Sequence, residues 1–458
     1  MKIAFKYTSA LLVSVGIALG SCQDFVNDLD VDPNNPALAD AATMLQGIEL
    51  ADALLHEGEA ARISAMWTAQ FTGARDQYTS IGRYDVAASN FDNMWSNTYL
   101  EIVTQSRIAA AAALNERNPR LAGILQVLEA HAVGTTASLF GDIPFREVND
   151  PVAFANPAYD PQQQVYEDLQ QQLNAAISKL AGGGGSQRDI FYQGDGGRWT
   201  EAAYTLKARY FLHTQQYDSA RRTALRGISN SGNDWLMPHK EVDGAENFYY
   251  QFNSERVGYL SATNSYAARL LDPSRQTTVS GNRNNAKTNE SARFSYFFTR
   301  SPASNRENYG LLTNSGYAEP AVAFPILTYS ENQLILAETY ARAGDLSTAL
   351  VHLNLHRNAL AVQYGGRYDD YVLADIPGGA TSTNMLKEIL TERYLSFIGQ
   401  IEPFNDARRT KNLINLPTFG TQGLPQRFLY PQSELNTNSI SVPDPLPTLY
   451  SKTSINPL

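Results

Sequence analysis

The chain holds one cysteine, Cys22, in 458 residues. That count excludes an internal disulfide and a thiolate metal cluster. Charge is sparse at 18% of residues, and positive charge sparser still: 36 Lys and Arg stand against 46 Asp and Glu, for a net −10. Such a surface is a poor partner for nucleic acid and for an anionic membrane face held by charge alone. Beyond the first twenty residues no run approaches the ~20 apolar residues of a membrane-spanning helix. Histidine is scarce, six in all. Only His352 and His356 stand at i, i+4, and "HLNLH" has no Glu between them in zincin fashion; they read as an exposed face of a helix. Glu57 and Glu59 are the kind of carboxylate pair any acidic chain yields. With no nucleophile elbow, phosphate loop or metal set beside them, they make no case for a glycosidase. The sequence reads as non-enzymatic, with no cofactor site. Carboxylates could hold calcium, but no dedicated ligand loop is visible.

What is present begins at the first residues. Lys2 and Lys6 precede the apolar run "TSALLVSVGIALG", and Leu19, Gly20 and Ser21 lead into Cys22. This is the layout of a secretory leader, and its end resembles the bacterial lipobox. Residues 1–21 are therefore expected to be a lipoprotein signal peptide, with lipid attached at Cys22, a tether that holds a body on a membrane without spanning it. Loss of the two lysines takes the net charge to about −12. Residues 22–40, acidic and broken by Pro33 and Pro36, read as an extended tether, and 41–458 as a single domain.

Within that domain the period is helical. "RWTEAAYTLKARYFLH" puts Trp199, Ala202, Ala203, Leu206 and Tyr210 on one face, with Glu201, Thr205 and Arg209 on the other. A second helix follows over 219–229. In "ENQLILAETYARAGDLSTALVHLNLHRN", Leu334, Ala337, Tyr340 and Ala341 share a face, Gly344 and Asp345 turn the chain, and Leu346, Ala349, Leu350 and Leu353 return. Small residue, aromatic, turn and small residue recur at offsets that resemble the tetratricopeptide repeat, whose small residues let paired helices approach closely. Stretches 121–139 and 163–180 read as further helices of the array. Repeats of this kind need neighbours to bury their faces, so at least three pairs are expected. Gly141-Asp142-Ile143-Pro144 reads as a helix stop and turn, with Asp142 bonding its own backbone. Gly182 to Gly185 reads as a loop.

Two regions depart from the helical period, 66–100 and 231–325. Both are rich in aromatic and amide side chains and are the expected ligand-binding loops. In the first, Trp67, Arg75, Asp76, Tyr78, Tyr84 and Trp95 could form an aromatic platform edged by charge, since sugar rings stack on aromatics and their hydroxyls seek carboxylate, amide and guanidinium partners. The helical spacing of Trp95 and Tyr99 equally fits a core position, and Trp67 could be buried in its helix. In the second, Tyr296, Arg300 and Tyr309 are candidates, or else members of an edge strand.

Five segments in order behind the lipobox carry a family resemblance: "SCQDF" with "DPNNP"; "TASLFGDIPFREV"; "RWTEAAYTLKARYFLH"; "ENQLILAETYARAGDLSTALVHLNLHR"; and "EILTERYLSFIGQIEPFNDARRT", with Glu392, Arg393, Asp406, Arg408 and Arg409. Over nearly the whole mature chain the sequence resembles the SusD/RagB family of Bacteroidetes outer-membrane lipoproteins. "GQIEPF" replaces the family's Glu-Gly and Arg, which marks a divergent subgroup. The resemblance implies a mostly α fold, about four tetratricopeptide-like helical pairs with long irregular loops and a few short strands. It implies a non-catalytic lipoprotein on the exterior of the outer membrane. Such a protein captures an oligosaccharide, or in some members a peptide, and delivers it to a SusC-like TonB-dependent barrel. An anchored glycoside hydrolase and a periplasmic repeat scaffold are the competing readings.

Overall fold

The computed structural model describes residues 39–150, 152–300 and 308–456. Cys22, the leader and all but the end of the tether lie outside the described residues. Wherever small and apolar residues recur every three or four positions, the chain is helical. The elements that build the scaffold are α1 (Ala41–Glu57), α2 (Glu59–Trp67), α3 (Gln77–Gly82), α4 (Asp92–Ser96), α5 (Gln105–Asn115), α6 (Pro119–Phe140), α7 (Gln162–Leu180), α8 (Gly196–His213) and α9 (Tyr217–Ala224). Further helices are α10 (Phe248–Glu255), α11 (Ser291–Phe297), α12 (Tyr329–Arg342), α13 (Leu346–Tyr364), α14 (Ser382–Ser396) and α15 (Glu402–Arg409), besides two short ones at Tyr266–Leu271 and Gln432–Thr437. A π-helical stretch, Asn97–Thr104, joins α4 to α5.

Starts and stops are written locally. Asn118, Asp195, Thr328 and Asp345 each accept a backbone N–H at the start of a helix, satisfying donors that lack an intrahelical partner. At Gly344 the backbone takes φ +83°, a conformation that costs a residue without Cβ little. The pairs α5/α6, α8/α9 and α12/α13 close through short turns, α7 packs along α6, and α9 packs on α12. The scaffold is thus the tetratricopeptide-like array expected.

Helix α6 is its axis: from Leu121 to Phe140 only Gln126 escapes burial. Close approach explains its glycines. A Cβ on Gly134 would lie 2.2 Å from Cζ of Tyr210 on α8. Packing on all sides also changes the expected polar face of α8. Thr205 and Arg209 are buried, because α12 and β8 (Phe324–Leu327) cover that side. Arg209 donates to both oxygens of Glu331 (2.7 and 2.5 Å) and to the Ile326 carbonyl.

The motif near the C-terminus is likewise internal. Arg393 pairs with Asp406 at 2.7 Å, and Arg409 bridges Asp406 and Glu338 at 2.6 Å each. His352 and His356 do not form an exposed face: His356 is fully buried against Glu392 and Ser396, while His352 stacks on Tyr340 and bonds Gln333. Gly141 does end α6, but Asp142 accepts from the distant N–H of Gln162 (2.8 Å) instead of its own turn.

In the region 231–325 the described residues form short helices and strands. Two-stranded antiparallel ladders fasten it: β1 (Thr72–Gly73) with β5 (Leu260–Ser261), β4 (Trp235–Met237) with β8, and β6 (Phe298–Arg300) with β7 (Tyr309–Leu311). A fourth ladder, β2 (Ile143–Pro144) with β3 (Tyr159–Asp160), follows α6. The first of these ladders ties one sequence-predicted loop region to the other.

Candidate functional site

Helix α10 begins at Asn247, whose side chain accepts from Tyr249 and Tyr250 N–H. It separates two cavities. One face, with Phe248, Gln251, Phe252 and Glu255, borders an open groove of about 370 Å³. The other side, at Tyr249, borders a more enclosed cavity of about 320 Å³.

The groove is where the two predicted regions meet. Its opposite wall comes from Leu54 of α1, from Glu59 and Arg62 of α2, and from Asn93 and Asn97. Arg62 lies over the Phe252 ring, 4.2 Å from its centroid, and donates through Nε to the Tyr78 hydroxyl at 2.9 Å. Its two terminal nitrogens have no partner among the described residues. The Glu59 carboxylate, one helical turn away, also has none. Burial holds its pKa above the ordinary glutamate value, against the pull of Arg62. A groove with ring faces, the carboxylates of Glu59 and Glu255 and the free terminal nitrogens of Arg62 can accept and donate hydrogen bonds to a neutral polyol lying on an apolar floor.

The sequence-predicted residues fall into three groups. Trp67, Tyr78, Trp95 and Tyr309 are buried, and their ring faces are closed to a ligand. The Trp67 indole donates to the Ile81 carbonyl (2.8 Å) and is boxed by Phe404 and Phe428 at 5.4 and 5.1 Å. Trp95 donates to Glu434 (3.2 Å), so it is the core residue its helical spacing allowed. Tyr309 bonds Asp272 at 3.1 Å, beside the Arg300 ion pair to the same carboxylate. Tyr78 lies beneath the groove, packed on Phe252 at 5.0 Å.

Arg75 and Asp76 are exposed and face each other at 3.5 Å, lining neither cavity. Tyr84 is half-buried and takes the N–H of Phe419. Tyr296, in a helix instead of the edge strand considered, lines the enclosed cavity. Of the groove residues, Glu59 was weighed in the sequence only as half of a carboxylate pair, and Arg62, Phe248 and Phe252 were not singled out. The available signal was the aromatic run "NFYYQF" just after an Asn cap.

Comparison with known proteins now adds the family. The profile of the SusD-like family, described as "Starch-binding associating with outer membrane", matches residues 33–431. The chain belongs to the SusD-like family. Among solved structures it is similar to a SusD homolog from Bacteroides fragilis (TM-score 0.71, 15% identity, 91% of this chain and 100% of that one). It is also similar to a SusD/RagB family protein from Bacteroides thetaiotaomicron (0.67, 19%, 88% and 95%). A third is described as a chitin-binding protein (0.66, 18%, 91% and 100%). At such identities the likeness is one of fold. A comparison with curated proteins finds no match. No helix among the described residues of this SusD-like protein is long and apolar enough to cross a membrane.

Proposed function

We propose that this SusD-like protein captures a nutrient glycan in the groove between α2 and α10, without turnover. In this reading it is held by lipid at Cys22 on the outer face of the outer membrane and passes its ligand to a TonB-dependent barrel. The observation that carries the ligand assignment is the pairing of partly exposed Phe248 and Phe252 rings with the unpartnered terminal groups of Glu59 and Arg62. An open-sided groove also admits a chain longer than itself, which an enclosed cavity does not. The family description, starch-binding and outer-membrane associating, supports the same class.

The test is binding of the chain from Gln23 onward to plant, microbial and host glycans and to peptide mixtures, by calorimetry. Saturable glycan binding should weaken about tenfold in Phe252→Ala and in Glu59→Gln, each worth about 1.4 kcal/mol. Trp67→Phe should leave it unchanged, because that ring is enclosed. Peptide binding with no glycan binding would move the ligand to the peptide class. Release of shortened glycan would refute the non-catalytic reading.

A further inference from the structure

The enclosed cavity on the other side of α10 has a different chemistry. Seven rings, Tyr249, Tyr296, Phe297, Tyr317, Phe324, Tyr364 and Phe397, line it. Of its polar side chains, Asn247 and Thr328 are engaged in capping helices and Ser396 accepts from Arg293. The Tyr249 hydroxyl is spent on the Gly399 carbonyl (2.7 Å). Those of Tyr296 and Tyr364 have no partner among the described residues. Asp234 is the cavity's one carboxylate. One of its oxygens accepts the N–H of Tyr329 at the start of α12 (2.7 Å). The other has no partner among the described residues, and no Lys, Arg or His described there forms an ion pair with it. Two guanidiniums lie against the ring wall: Arg393, centred 5.0 Å from the Phe397 ring and paired with Asp406, and Arg293, centred 5.9 Å from the Tyr364 ring. Arg293 is already committed to Glu392 at 3.2 Å and to Ser396.

A half-buried carboxylate without a cation is costly to keep ionised. Burial pushes the Asp234 carboxyl up to about 7, against the hydrogen bond from Tyr329. Ring faces carry partial negative charge and attract cations, most strongly when water is excluded.

We propose that this cavity is a second binding site, for a compact organic cation: an alkyl- or arylammonium whose charged nitrogen meets Asp234 and whose apolar body lies against the tyrosine and phenylalanine rings. The site is separate from the groove and stands whether or not the groove binds glycan.

The probes are phenethylammonium and its neutral analogue 2-phenylethanol, titrated calorimetrically into the chain lacking only its leader. Phenethylammonium should bind saturably, and at least tenfold more tightly than the alcohol. Asp234→Asn keeps an acceptor for the Tyr329 N–H and should weaken the ammonium at least tenfold, leaving the alcohol unaffected. Tyr296→Ala should weaken both. Phe252→Ala, across α10, should change neither. A crystal soaked with a bromo-substituted phenethylammonium gives a second readout, with anomalous density expected between Asp234 and Tyr296. Absence of saturation, equal affinity for the alcohol, an unchanged affinity in Asp234→Asn, or density elsewhere would each overturn the proposal.

Discussion

Gly134→Ala is expected to destabilise this protein although alanine is the better helix former. The new Cβ would sit 2.2 Å from Cζ, 2.3 Å from Oη and 2.7 Å from Cε1 of Tyr210. That ring is fully buried, edge-on to Tyr166 at 5.3 Å, and its hydroxyl donates to the Ala130 carbonyl at 2.8 Å. It cannot retreat without losing the bond. Displacing the ring costs about 2 kcal/mol, the orphaned hydroxyl about 2 more, and helix propensity returns about 1, for a net loss of about 3 kcal/mol. Gly47→Ala is the matched control. It lies in α1 with nothing within 4 Å of its Cβ, so it should gain up to about 1 kcal/mol. Equilibrium urea unfolding of the two variants, followed by near-UV circular dichroism, reads both effects as shifts in midpoint. A Gly134→Ala midpoint at or above that of the parent chain would refute the close packing of α6 on α8, and with it the reason small residues recur in the repeats.

Acid should destabilise the fold through the buried pair Asp52 and His131, whose ring nitrogen lies 3.0 Å from the carboxylate. Burial drives the His131 pKa down to about 4, against the pull of Asp52. The unfolded chain takes that proton near pH 6.5, so stability present above 6.5 is lost as pH falls to 4, by about 3 kcal/mol. Burial alone would raise Asp52, but His131 and His56 hold it below its ordinary value, which adds loss in the same direction at lower pH. Urea midpoints at pH 7 and 4.5 should therefore differ more in the parent than in His131→Phe; equal differences would contradict the assignment. Glu338→Ala strips one of the two carboxylate partners from Arg409 (2.6 Å), which keeps Asp406, and the partner from Arg342 (2.8 Å), and should cost about 3 kcal/mol. A loss below about 1 kcal/mol would place that cluster in effective contact with solvent.

The repeat helices could be read from the sequence because their signals are local. Ala337, Tyr340, Gly344 and Ala349 sit at offsets that one helical pair imposes on itself, and Asp345 caps the helix it precedes. The face of α8 was half legible: Trp199 to Tyr210 are buried as the spacing required, yet Arg209 on the other side is buried too. An apolar stripe tells which side must be covered. It does not tell whether a second layer covers the polar side, and here Glu331 makes that burial possible for Arg209.

For the proposed groove, the sequence singled out two regions that contribute to it but not Arg62, Phe248 or Phe252. Both 66–100 and 231–325 contribute to the groove, and Tyr296 reaches the enclosed cavity. Trp67, Tyr78, Trp95 and Tyr309 do not offer their faces, since an aromatic ring is as suited to a core as to a platform. What decides is which distant segment arrives to cover it. For Trp67 this is Phe404 and Phe428; for Trp95, Glu434; for Tyr309, Asp272. By itself the sequence determined the mostly helical class, the order of the repeat pairs and their caps, because those depend on spacing within a few turns. Tertiary structure alone decided which rings face solvent and where Glu59, Arg62 and Phe252 converge, because burial is a property of partners that meet from hundreds of residues apart.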